Sequence, residues 1–208
     1  TPSAISSITR RFSSVCWRAI SRLLRAERSS RARRCDSSLD NSAIRNSPAP
    51  ANPILAGQIS EYLYKQLSNF KAADGKPAVR NNAIMGGMVA ALSDEDMRNL
   101  AAYFSQQKMK PSLAKEEKLL AEGKTLWRMG DFEKGIPACA GCHGPAGAGL
   151  PVQYPRLAGQ YAEYTASQLK TFRSHERAND SEKVMRTIAG KLSDHQIAAV
   201  AEYAAGLR

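Results

Sequence analysis

Apolar residues return every three or four positions through several stretches of the chain. Ile59, Tyr62, Leu63, Leu67 and Phe70 fall on one face of a helix, and the segment from Tyr161 to Phe172 repeats the arrangement. Met97, Leu100, Ala101 and Phe104 line a second helix, as Ile197, Val200, Ala201 and Ala204 do near the C-terminus. A further amphipathic stretch runs from Ser112 to Trp127. Ser93 and Ser193 stand where an N-cap belongs, and Gln196, three residues after Ser193, completes a capping-box pattern. The period-two alternation of strands is weak throughout, so the pattern predicts an all-α fold.

These helices come in two copies. Pro53, Leu55, Ala56, Gly57, Gln58, Glu61, Tyr62, Gln66, Leu67 and Phe70 recur at a constant offset as Pro155, Leu157, Ala158, Gly159, Gln160, Glu163, Tyr164, Gln168, Leu169 and Phe172. After a contraction of two residues, Met85, Leu92, Ser93, Asp94 and Tyr103 recur as Met185, Leu192, Ser193, Asp194 and Tyr203. A register held this long is an internal repeat, and it implies two tandem helical domains. The polar stretch from Phe104 to Ser112 is the natural linker, which sets the domains at residues 47–108 and 109–208.

Composition separates the first 46 residues from the rest. The net charge of +11 suggests a nucleic-acid partner until its distribution is counted. Residues 1–46 hold ten Arg against three acids, a surplus of seven, so residues 47–208 carry only four of the eleven. No basic stripe with interleaved aromatics remains there, and no nucleic-acid partner is expected. The N-terminal segment is an irregular, Arg- and Ser-rich stretch for which three readings stay open: a disordered basic arm, a transit-type peptide, or a sequence that is not the native one. Arg18 and Arg22 interrupt its most apolar part, so an export signal is not expected in this chain. No apolar run is long enough to span a membrane, which leaves peripheral association open.

The chemistry concentrates in Cys139, Ala140, Gly141, Cys142 and His143, the CxxCH pattern of c-type haem attachment. Two thiols one helical turn apart can each add to a haem vinyl group while the next residue aims its imidazole at the iron. A zinc site would need a second pair of ligands, and Cys16 and Cys35 form no CxxC. A thioredoxin-like motif would need a βαβ setting. An iron held by one His needs a further ligand or an open position, and Met185, after one helix and the polar loop Ser174–Lys183, is the candidate. His175 and His195 compete for that role, but their settings predict surface residues.

The paired LAGQ segments, the CxxCHG, the methionine followed by LSD and the closing EYAAGL resemble the cytochrome c4 family, over Asn46 to Arg208. The resemblance implies two cytochrome c-like domains, normally with two haems, in a periplasmic protein that carries electrons to terminal oxidases. It implies covalent haem c at Cys139 and Cys142, axial ligation by His143 and Met185, and a Pro155 carbonyl bonded to the outer ring nitrogen of His143. The departure is in the first domain. A first CxxCH is expected near residues 37–41, where the chain reads Ser37, Ser38, Leu39, Asp40, Asn41, and the first His anywhere is His143. One haem c is therefore expected, in residues 109–208, and a second only if the N-terminal sequence is not native. The abrupt loss of the pattern before Asn46 favours the latter.

The function expected is electron transfer between respiratory redox proteins, a terminal oxidase or a quinol:cytochrome c oxidoreductase by resemblance, rather than catalysis. Two other readings remain: the haem-containing subunit of a larger dehydrogenase, and a dihaem-type peroxidase. In bacteria c-type haem is attached outside the cytoplasm, which points to the periplasm.

Overall fold

The structure, a computed structural model, describes residues 46–73 and 75–208. The expectations for residues 1–45, including the missing CxxCH near 37–41, lie outside the described residues.

Among the described residues eight α-helices follow one another: α1 (Ser60–Phe70), α2 (Ala83–Val89), α3 (Asp94–Ser105), α4 (Glu117–Met129), α5 (Ala140–His143), α6 (Ala162–Arg173), α7 (Val184–Lys191) and α8 (Asp194–Gly206), with a 3-10 turn at Ser181–Lys183. Among the described residues, extended pairing is confined to isolated bridges such as Asn46 with Ile54. The repeat is visible in the order: α1, α2 and α3 correspond to α6, α7 and α8. In the first half α1 packs on α3, and in the second α8 packs on both α4 and α6.

Local chemistry explains the boundaries. Ser93 and Ser193 both form full capping boxes, the first with Asp96 and the second with Gln196. Helix α4 starts at Glu117 rather than at Ser112 as the periodicity predicts. The reason is competition for backbone donors: Ser112 N–H goes to the Gly159 carbonyl at 2.7 Å and Lys115 N–H to the Glu202 carboxylate at 2.8 Å. Both pull the segment along the second half before it can turn helical.

The core of the second half gathers around the α4–α8 crossing, with Leu126, Trp127, Ile197 and Val200 buried. A helix pair this close requires a residue without a side chain. A Cβ on Gly123 would lie 2.2 Å from the Ala199 carbonyl oxygen and 2.7 Å from the Tyr203 Cβ. In the first half Leu63, Val89, Leu100 and Phe104 are buried in the equivalent manner.

The LAGQ segments join the halves. Each glycine donates to the end of its own last helix, Gly57 to Phe104 O at 3.0 Å and Gly159 to Ala204 O at 3.1 Å. Each glutamine crosses to the other half. Gln58 holds the backbone of Arg156 by two bonds of 2.8 and 2.9 Å, and Gln160 holds that of Ile54 by two of 2.9 and 3.0 Å. A second tier lies beyond them. Arg80 stacks on Phe70 and reaches Gln168 at 2.6 Å, while Arg177 stacks on Phe172 and reaches Tyr62 at 2.9 Å.

The stretch Ser174–Lys183 is more than the solvated loop its polarity predicts. Arg177 and Asn179 are buried, with Asn179 bonded to Gln66 and Asn69 across the interface. Their polar groups find partners about a hundred residues away, which makes burial tolerable.

Candidate functional site

Cys139 precedes and Cys142 lies within α5, a single turn in which His143 N–H returns to the Cys139 carbonyl at 2.9 Å. The turn therefore sets both thiols and the imidazole at fixed rotations about one short axis. Both cysteines are free thiols and half-buried. Burial, opposed by a backbone hydrogen bond and helped by the neighbouring Cys142, pushes the Cys139 thiol up to about 11.

His143 is 6% exposed, and its Nδ1 lies 2.9 Å from the Pro155 carbonyl oxygen. A carbonyl can only accept, so Nδ1 carries the proton and Nε2 presents its lone pair. Burial pulls the imidazole below its ordinary value, which favours the neutral ring, against the opposing pull of that carbonyl. Nε2 has no hydrogen-bond partner among the described residues. Backbone packing makes the Pro155 contact possible: Gly149 sits at φ +80°, and a Cβ there would stand 2.6 Å from the Tyr154 carbonyl oxygen and the Pro155 carbonyl carbon. The rings of Trp127 and Tyr154 flank the imidazole with centroids at 6.4 and 6.1 Å.

Met185 is the second residue of α7, half-buried, and packs with Ile188, Leu157 and Cys139 against the apolar core of the second half. The fold thus brings both segments of the candidate site to one core. It leaves the competitors outside: His175 is exposed, and His195 is exposed and paired with Glu122 at 2.8 Å. Met85, the counterpart in the first half, is half-buried at the start of α2, where its N–H is capped by Asn82 at 2.9 Å.

Spacing alone gives no sign of one set of residues beside the site. Asp180 accepts from the Arg186 backbone N–H at 3.0 Å and from its guanidinium at 2.7 Å. The acid–base pair six residues apart was the available signal, but it spans a non-helical turn and so looks like loop charge.

The residues fit a haem: a neutral buried imidazole with its lone pair free, two thiols on the same turn and a thioether on the same apolar core. Residues 120–207, from α4 through α8, match the family model of cytochrome c. Fold, site and match define the class, a c-type cytochrome with covalently bound haem that transfers electrons. The chain is 46% identical over 164 residues to cytochrome c4 of Pseudomonas aeruginosa, an alignment covering 78% of this chain and 79% of that protein. It is 42% identical over 160 residues to a thiosulfate dehydrogenase electron acceptor of Thiomonas intermedia, covering 76% of this chain and 71% of the other. The crystal structure of reduced recombinant cytochrome c4 from Pseudomonas stutzeri superposes with a TM-score of 0.73 at 42% identity, covering 79% of this chain and 89% of that one. The chain belongs to the cytochrome c4 family.

Proposed function

We propose that Cys139 and Cys142 carry haem c through thioether bonds, with His143 Nε2 and the Met185 sulfur as axial ligands. The observation that carries this reading is the Nδ1–Pro155 contact, because it commits the buried imidazole to the tautomer that can bind iron. When bound, the haem supplies a one-electron ferric–ferrous couple. His143 stays put because its outer nitrogen is tied to backbone. Met185, a soft and uncharged donor, favours the ferrous state and closes the remaining position against small oxidants. Trp127 and the neighbouring apolar side chains keep water from the imidazole face.

Residues 109–208 form the haem-bearing domain in this reading, and residues 47–108 form a second domain of the same ancestry. The first half has Met85 but no imidazole anywhere before His143, so the chain as written holds one haem. Redox proteins are the partners, and the periplasm is the compartment where c-type haem is attached and used. A second reading, an acceptor that docks on a dehydrogenase, is favoured by the similarity to a thiosulfate dehydrogenase electron acceptor. Intact mass with haem stoichiometry on the natively expressed chain tests the first reading. At least one covalent haem per chain is expected; none would overturn the reading, and two would show instead that residues 1–46 as written are not the native sequence.

A further inference from the structure

The geometry points to Asp180 as the residue that holds Met185 in position. This rests on the reading of Met185 as an axial ligand and concerns how a weak ligand is kept in place.

The turn leading into α7 is unusual. Glu182 at φ 51° and Lys183 at φ 57° are successive left-handed residues, neither of them glycine. Each such residue costs about 1–2 kcal/mol, so a pair persists only where the surroundings dictate it. Asp180 is the group placed to do so. Its side chain is 5% exposed, and its two oxygens grip Arg186 from both sides, Oδ2 on the backbone N–H at 3.0 Å and Oδ1 on Nε at 2.7 Å. The Arg186 side chain is itself only 16% exposed. Met185 lies between the strained turn and the gripped residue, so the clamp closes over its backbone.

The first half shows what the plain alternative looks like. There Asn82 caps the Met85 N–H directly at 2.9 Å, and among the described residues neither a left-handed non-glycine pair nor an ion pair stands in front of the helix. In the second half a carboxylate bonded to both a backbone N–H and a guanidinium replaces that single neutral bond, and charge-assisted bonds are the stronger kind. A thioether brings no charge to its bond with iron and is a weak ligand, so its hold depends on how firmly the backbone that carries it is placed. Asp180 is therefore a positioning residue, acting through Arg186 on Met185.

The test uses the holoprotein and free imidazole as a probe that binds ferric iron only while Met185 is off. Its apparent affinity scales with the fraction of that open state. Asp180→Ala is expected to raise imidazole affinity about tenfold or more and to weaken the sulfur-to-ferric-iron absorption, with Asp180→Asn intermediate. Ser193→Ala, which removes the α8 cap instead, controls for general loss of stability and is expected to leave both readouts alone. The proposal is overturned if Asp180→Ala behaves like Ser193→Ala, lowering the melting temperature without changing imidazole binding or absorption. Should Asp180→Ala not retain haem, Asp180→Asn decides by the same readouts. Met185→Ala separates the two ideas: if it leaves the absorption intact, the ligand reading fails and this one with it, whereas its loss beside an unaltered Asp180→Ala spectrum overturns only the clamp.

Discussion

Gln160 holds the backbone N–H and C=O of Ile54, and Gln58 does the same to Arg156, so the two LAGQ motifs embrace each other's halves by one symmetric exchange. The repeat offset of 102 separates Gln58 from Gln160 and Ile54 from Arg156 alike. The first LAGQ thus has a task independent of any haem in its own half: it is one side of the joint.

Gln160→Ala would leave the Ile54 N–H and carbonyl buried without partners, a loss of about 2–4 kcal/mol. Gln58→Ala costs less, because its side chain is nearer to solvent, and the double variant should lose less than the two together if the halves have already parted. Urea unfolding of the single and double variants checks this. The ferric absorption spectrum should not change in any of them.

Gly123→Ala forces a methyl into the Ala199 carbonyl at the α4–α8 crossing. The helices must separate, at about 1–3 kcal/mol or more. A thermal melt measures the loss, and a destabilisation below a few tenths of a kcal/mol would show that the crossing yields freely.

Met185→Ala should abolish the sulfur-to-ferric-iron absorption and lower the reduction potential, while Met85→Ala should leave both unchanged. Redox titration followed in the visible region reads both variants. A spectral change in the Met85 variant would mean that the first half holds iron as well.

Asp194 opens α8, and hydrogen bonding to Arg173, followed by the charge of that guanidinium, holds its carboxyl below the ordinary aspartate value. A depressed folded value stabilises the protein above the unfolded value and is lost as pH falls through the folded one. Wild type should therefore exceed Asp194→Asn in stability at neutral pH, with the gap closing below about pH 4. Denaturant midpoints across that range test it, and the effect should be small because the pair is solvent-screened.

What the sequence determined by itself was whatever is written in short spacings. Helical periodicity, the Ser93 and Ser193 caps, the repeat register and the CxxCH turn depend on residues within a few positions of each other, and backbone geometry translates such spacings directly. The pairing of His143 with Pro155 was legible only through family resemblance, since the residues between them form an irregular loop that Gly149 folds back. Tertiary structure alone decided the rest. Gln58, Gln160, Arg177 and Asn179 look like ordinary surface polars in sequence, and nothing in their spacing says that their partners lie about a hundred residues away. Asp180 reads as loop charge until the turn at Glu182 and Lys183 brings Arg186 back to it. A polar side chain can meet any donor or acceptor that the chain delivers, so its partner is settled by where the helices come together.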